Sequence, residues 1–367
     1  MKLPNLFGKL FSGQPPQVTK GPYLGVDIGT VSVKIVEIDM RGGKPTVVNY
    51  GMIESPDYLE RVNGVVQTSS LNVADGNAAD MIRTLLAQMG TRTRDAAVAI
   101  PSFSAFSSVI DLPAMTTEET AQAVPYQARS LVPLPMSDVT IDWTPIGQFE
   151  DSAGTKKQRV FLISVPNEQI NAHRDVCKRA GLNLKMLEVE GLSIARSLTY
   201  GDKEDSLLFD IGAFTSTVAV AGQGILKYSV QTDFASNSLT QSLAKGLGIN
   251  AKRAEALKRQ RGLSGMTGEY GLSTLMTPFI DVILNEGIKA KNVFEGGGGK
   301  ISKIILSGGG GSTQSLVDYA GRQFGLPAER ANPWGSVSYS PEFAPLLQSV
   351  ATRFAVAVGV GIKPFIG

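Results

Sequence analysis

YLGVDIGTVSVKIVEID, residues 23–39, and SLLFDIGAFTSTVAVAG, residues 206–222, decide how this chain folds. In each stretch an apolar run ends in Asp-Ile-Gly, a turn of small or hydroxyl residues follows, and a second apolar run leaves it. Many of the flanking residues are β-branched, which favours strands, and glycine and threonine punctuate the runs, so each stretch predicts strand, tight turn, strand. The two Asp-Ile-Gly triplets begin at 27 and 210, 183 positions apart. One such triplet is common by chance and reads equally well as a plain hairpin turn. Two in matching contexts point to two related halves closing on one phosphate-bearing ligand. Gly29 and Gly212 let the backbone approach a phosphate closely, and neighbouring N–H groups with the hydroxyls of Thr30 and Thr215 donate hydrogen bonds to it. Asp27 and Asp210, at strand ends, suit Mg²⁺ held through water, because that ion keeps much of its hydration.

Two further stretches extend this pattern. Leu306-Ser307-Gly308-Gly309-Gly310-Gly311 follows a buried strand, and its bare backbone can lie against an adenine, a ribose or an α-phosphate; alone it reads as a flexible turn. Glu255, Lys258 and Arg259 fall at i, i+3 and i+4 on one helical face. They suit ribose hydroxyls and an adenine plane, or else a solvated, salt-bridged surface.

Between the two strand–turn–strand units the pattern is mixed. A helix capped by Asn77 or Asp75 carries Met81, Ile82, Leu85, Leu86 and Met89, and Asp95 to Ile100 reads as a strand. From 101 to 165 the texture changes to strands and one helix without βαβ alternation, which predicts a small α+β insertion. Thr116 and Glu119 have capping-box spacing at the head of its helix, which Pro125 should bend or interrupt. Asn167 is expected to cap the next helix. His173 and Cys177 share a face of that helix, but nothing supplies further metal ligands, so they read as ordinary helix residues.

Composition narrows the function. The chain has 367 residues, 35 Lys and Arg against 33 Asp and Glu, one cysteine and one histidine. The near-neutral charge argues against a dedicated nucleic-acid binder. Cys177 and His173 alone rule out a disulfide framework and a multi-cysteine or multi-histidine metal centre, and leave a Ser-His-Asp triad a weak starting point. No stretch is long and apolar enough for a transmembrane helix. At the start, Leu3, Leu6, Phe7, Leu10 and Phe11 have helical spacing beside Lys2 and Lys9. They suit a short amphipathic contact with a membrane or a partner, or a tail that packs locally.

Taken together, these motifs resemble the actin-like ATPase superfamily, which includes actin, DnaK-type chaperones, sugar kinases and the division protein FtsA. The resemblance runs from about residue 22 over nearly the whole chain. It implies an α/β, actin-like ATPase fold of two related βα domains around a nucleotide cleft, with a small α+β insertion. The implied boundaries are a tail over 1–21, a first region over 22–100 and 166–200, the insertion over 101–165, and a second half over 201–367. In family terms, 23–39 and 206–222 resemble the two phosphate motifs, and 305–311 the adenosine motif. Gly191–Leu198 and Phe354–Ile362 resemble the two connecting helices. Glu255, Lys258 and Arg259 match the nucleoside-contacting helix of the chaperones, and Glu190 falls where those proteins place an acid near Mg²⁺ and the attacking water.

Within the superfamily the insertion's text, from IPSFSAF to TIDW, is similar to the PilM family of cytoplasmic proteins of type IV pilus assembly. The matching features are Leu-Pro after a strand, Thr-x-x-Glu, Leu-Val-Pro-Leu-Pro, Asp138 and Asp142-Trp143. Val33–Glu37 also resembles that family's first hairpin. Two departures stand out. Ala235-Ser236-Asn237-Ser238 replaces a usual Gly-Gly, leaving Ser236 and Ser238 to bind phosphate, and Pro125 is unexpected.

The resemblance implies an ATP- and Mg²⁺-binding scaffold with at most slow hydrolysis, supported by Glu190 and Asp210, and with Gly308, Gly309 and Gly310 near the nucleoside. It implies a cytoplasmic protein, peripheral to the inner membrane through partners. Those would be the leader peptide of a PilN-like inner-membrane protein, bound in a groove beside the insertion, other platform components, and a homo-oligomer or ring, with no nucleic acid. Leu131, Leu134, Met136 and Trp143 are candidates for that groove, or simply fill the insertion's own core. The alternatives are an FtsA-like membrane-associated filament protein and, further off, a small-molecule kinase, which would need a polar substrate constellation besides Glu190.

Overall fold

The structure, a computed structural model, describes residues 21–55, 77–264 and 272–366. The N-terminal Leu/Phe stretch and Asp75 lie outside these residues. The chain opens with a meander of β1 (Tyr23–Ile28), β2 (Ser32–Arg41) and β3 (Lys44–Glu54), followed by α1 (Asn77–Met89) and β4 (Asp95–Ile100), which runs parallel to β1. Next come β5 (Phe106–Pro113), α2 (Thr117–Leu131), β6 (Val139–Glu150), β7 (Lys156–Pro166), α3 (Asn167–Ala180) and β8 (Asn183–Val189). Strands β3-β2-β1-β4-β8 form one five-stranded sheet, and β5-β7-β6 form a separate three-stranded one. Alternation along β1 decides the layers. Leu24, Val26 and Ile28 pack with Ile82, Leu85 and Leu86 of α1 on one face. On the other face Gly25 leaves room for a helix described below.

The second half repeats the plan. After α4 (Glu190–Thr199) come β9 (Asp205–Ile211), β10 (Ser216–Gly222), β11 (Ile225–Thr232), α5 (Ser236–Leu247), α6 (Ala251–Arg261) and α7 (Leu272–Gly296). Then follow β12 (Ile301–Ser307), α8 (Gly308–Gly311), α9 (Leu316–Phe324), β13 (Ala328–Arg330), α10 (Ala344–Val350) and α11 (Ala355–Ile362). The sheet order is β11-β10-β9-β12-β13, the same arrangement as in the first half: an antiparallel meander whose first strand then pairs in parallel. Its own core joins Phe209, Val218 and Leu306 to Leu239, Ile280 and Leu284.

Helices α4 and α11 pack on each other where the halves meet, and α11 lies over β1. Their small residues make this possible. A Cβ at Gly359 would lie 1.9 Å from the Ser193 carbonyl oxygen, and one at Gly25 would lie 2.2 Å from that of Ala357. Both helices are almost wholly buried. Beside them Glu188 is fully enclosed, accepting from Arg196 and from Lys363 at 2.5 Å each.

Two sequence expectations are corrected here. Pro125 does not interrupt α2, which runs from Thr117 to Leu131 under the expected Thr116/Glu119 capping box. Buried Thr120, Val124 and Ala128 hold the helix on both sides of the ring, and the carbonyl freed by the missing N–H belongs to solvent-facing Ala121. Asn167 is not a cap but the first residue of α3; its side chain accepts from Thr140 Oγ1 and donates to the Ser137 carbonyl, tying α3 to the three-stranded unit. Gly308–Gly311 forms one helical turn, which sets aside the flexible-turn alternative.

Candidate functional site

The two sheets present equivalent turns to one cavity of about 320 Å³, within the range of small-ligand sites. In the first turn Gly29 N–H donates to the Ser32 carbonyl at 3.0 Å, and in the second Gly212 N–H donates to that of Thr215 at 3.0 Å. The turns place Asp27 opposite Lys34 and Asp210 opposite Thr217 in register. Asp27, Gly29, Thr30, Lys34, Glu190, Asp210, Gly212, Thr215 and Thr217 all line the cavity. The sequence residues expected around phosphates are therefore brought together, from parts of the chain as far apart as β1 and β10.

Its electrostatics are dominated by carboxylates. Lys34 Nζ donates to Asp27 Oδ2 at 2.8 Å. Burial alone favours the neutral amine, but Asp27, with Asp210 and Glu190 behind it, holds Lys34 above the usual lysine range. Burial, then the charge of Asp27, push Asp210 up to about 6 against a hydrogen bond from Ser307. Glu190 is raised well above the ordinary carboxylate range, first by burial and then by Asp27 and Asp210. Its Oε2 accepts from Ser102 N–H at 3.0 Å, and Ser102 Oγ accepts from Gly191 N–H, so the start of the segment leading into β5 is bonded to the head of α4.

Three acids facing one ammonium leave excess negative charge, and Asp27 Oδ1 is buried without a hydrogen-bond partner. That donor set fits a hydrated divalent cation. Among the described residues no three His, Cys, Asp or Glu side chains gather closely enough to ligate a metal directly, so water would complete its shell.

The other end of the cavity is formed by α6, α8 and the segment before α11. Gly308 has φ +77°, and a Cβ there would meet the Ile211 carbonyl oxygen at 2.4 Å, so only glycine brings α8 this close to β9. Gly308 and Gly309 line the cavity, whereas Gly310 is buried behind them against Ile211. Glu255 and Lys258 are buried as a pair at 2.6 Å. Against the cost of burial, Lys258 and Arg259 hold Glu255 down at about 2. Lys258 also donates to the Ser236 carbonyl, Ser236 Oγ and Thr240 Oγ1, which braces α6 against the start of α5. Ser236 and Asn237 reach the cavity, but Ser238 is spent on the helix start, its Oγ accepting from Ala235 N–H.

A second concavity lies between the three-stranded unit and the first sheet's α3. It is lined by Leu134, Ser137 and Asp138 on one side and by Asn167, Asn171 and Asp175 on the other. Leu134 is 43% exposed there. Leu131 is also exposed but does not line the groove, whereas Met136 and Trp143 pack against the core of the three-stranded unit.

Residues 25–365 match the family described as "Type IV pilus assembly protein PilM". The chain belongs to the PilM family. Its fold is similar to that of a solved PilM–PilN type IV pilus biogenesis complex, with TM-score 0.77 and 22% identity over 95% of this chain and all of that one. It is also similar to the ethanolamine utilization protein EutJ of Carboxydothermus hydrogenoformans (TM-score 0.54, 18% identity, 96% of this chain and 92% of that one). MreB 5 of Spiroplasma citri, solved bound to AMPPNP, gives TM-score 0.52 at 14% identity over 94% and 96%. Cell division protein FtsA of Enterococcus faecalis is 24% identical over 260 residues, 66% of this chain and 58% of the relative. FtsA of Streptococcus pneumoniae is 23% identical over 66% of this chain and 56% of that one. The chain thus spans less than two thirds of the length of the FtsA relatives it matches. The actin-like ATPase fold expected from the two Asp-Ile-Gly turns is the fold of this PilM-family chain.

Several residues of the cleft escape a reading of the sequence. Local pattern gives Lys34 no orientation, although Asp27 and Lys34 lie symmetrically about Thr30-Val31 and a tight turn there sets them face to face. Glu54 and Arg353 carry no local motif and enter the cleft only through sheet order and helix packing.

Proposed function

We propose that this PilM-family chain is a nucleotide-binding platform component of a type IV pilus machine, and that its cleft takes ATP. The observation carrying this reading is the repeated turn. Two glycine turns 183 positions apart line one cavity together with Thr30, Thr215, Asp27 and Asp210, each turn closed by its own glycine N–H. Asp27 and Asp210 would hold Mg²⁺ through water, and the bound ion would neutralise charge on the β- and γ-phosphates. Lys34 would contribute a fixed positive charge beside them. Gly308, Gly309, Glu255 and Arg259 would surround the nucleoside, with Lys258 bracing that wall. Glu190 accepts from a backbone N–H at 3.0 Å, and its raised pKa would make its ionised form a stronger base toward water than an ordinary carboxylate. Hydrolysis would be slow at most.

The groove between Leu134 and α3 is the site we assign to the cytoplasmic leader of a PilN-like inner-membrane partner. An extended peptide gains affinity from main-chain hydrogen bonds and specificity from apolar pockets. Glu190, Ser102 and α4 would link that groove to the cleft, because Ser102 opens the segment that leads into the three-stranded unit. Titrating a synthetic leader peptide with and without ATP·Mg²⁺ tests both parts. Binding that depends on Leu134 and shifts with nucleotide supports the reading; binding unaffected by a charge at Leu134 would place the partner elsewhere.

The resemblance to FtsA leaves a second reading, a membrane-associated filament protein. Sedimentation of polymer on adding ATP distinguishes it.

A further inference from the structure

At the mouth of the cleft an acid of the first half lies between two arginines. Glu54 is the last residue of β3, in the first sheet. Its Oε1 accepts from Arg353 Nη1 at 3.0 Å. Arg353 ends the short turn before α11, where Ser307 of the second sheet donates to the neighbouring Thr352 carbonyl at 3.2 Å. The other oxygen, Oε2, lies 3.8 Å from Arg259 Nη2 on α6 of the second half. Arg259 is in turn fixed by its Nε to Glu255 Oε1 at 2.7 Å. Glu255, Arg259, Glu54 and Arg353 therefore run as a chain of alternating charge from one half to the other, and all four line the cavity.

We propose that Glu54 is a strap across the nucleotide cleft, and that ligand passes only when its ion pairs to Arg353 and Arg259 open. This inference rests on the nucleotide reading above. The geometry supports a strap rather than a rivet. The Glu54–Arg353 contact has hydrogen-bond length, while Glu54–Arg259 is too long for a hydrogen bond and is purely electrostatic. Arg259 is 46% and Glu54 36% exposed at the side chain, so water competes for both and salt weakens the pairing. The strap joins β3, the edge strand of the first sheet, to α6 of the second half, so separation of the two sheets at the cleft lengthens the Glu54–Arg259 pair directly. The deep phosphate turns, by contrast, close their backbone hydrogen bonds within their own halves.

A fluorescent ATP analogue followed by stopped flow on the full chain tests this. Glu54→Gln is expected to speed both uptake and release by about two- to five-fold, the range of exposed ion pairs, with little change in equilibrium affinity. Arg353→Gln should reproduce the effect, the double variant should add little to either single one, and salt should accelerate release from the wild type more than from the variants. Unchanged rates in both variants would overturn the strap. Faster release with unchanged uptake would also overturn it, because Glu54 would then be a ligand contact and affinity would fall. Wild-type protein that takes up no nucleotide would overturn the underlying reading, and the strap with it. A matching thermal melt shows that the variants are folded.

Discussion

Thr217 occupies in the second half the register position that Lys34 occupies in the first: each is the cross-strand partner of the aspartate that precedes its glycine turn. The repeat is therefore geometrically even but electrically lopsided, with an ammonium beside Asp27 and a neutral hydroxyl beside Asp210. Removing the ammonium leaves Asp27 buried without its ion pair, whereas removing the hydroxyl leaves no charge unpaired.

Lys34→Met should weaken nucleotide binding by about ten- to a hundred-fold, the cost of losing a charged hydrogen bond. Thr217→Val should change it by less than about five-fold. Titrations of the two variants side by side check the asymmetry; equal losses would mean that Lys34 only balances Asp27.

Asp210 has a folded pKa raised to about 6, so the folded state binds its proton more tightly than the unfolded chain does. Its destabilising contribution is absent below the unfolded value near 4 and grows as pH rises through about 6. Without nucleotide, Asp210→Asn should therefore be more stable than wild type at pH 7.5, by about 1–3 kcal/mol, and the gap should close toward pH 4. Denaturant unfolding at several pH values measures it.

Glu188 presents the opposite case. Arg196 and Lys363 outweigh the burial cost and hold its carboxyl down to about 2. Its stabilisation is complete above the ordinary carboxylate range and is lost only as pH falls through about 2. Glu188→Ala takes the shared carboxylate from Arg196 and Lys363 beside α4 and α11 and should cost about 3–5 kcal/mol, visible in denaturant melts at neutral pH.

Leu134→Asp should cut affinity for a partner leader peptide by more than about ten-fold while leaving nucleotide binding intact, since the side chain is exposed and remote from the cleft. Trp143→Ala, by contrast, should act through stability because that ring packs against the core of its own sheet.

The sequence made the paired turns legible because strand, aspartate and glycine are local signals, and their duplication needs no tertiary information. Register was legible in principle from the symmetry of Asp27 and Lys34 about one turn. Local signals failed where packing overrode them. Pro125 stays within a helix held by Val124 and Ala128, and Asn167 answers to Thr140 and Ser137 rather than to its own helix. Glu54 and Arg353 lie 299 positions apart, and nothing short of the assembled fold brings them together.

Calorimetric titration of ATP with Mg²⁺ into the full chain, compared with Asp210→Ala, bears most directly on the cleft. Saturable one-site binding is expected in the wild type, weakened at least about ten-fold in a variant that remains folded. No binding by the wild type, or equal binding by both, would contradict the assignment of the paired turns to phosphate and Mg²⁺.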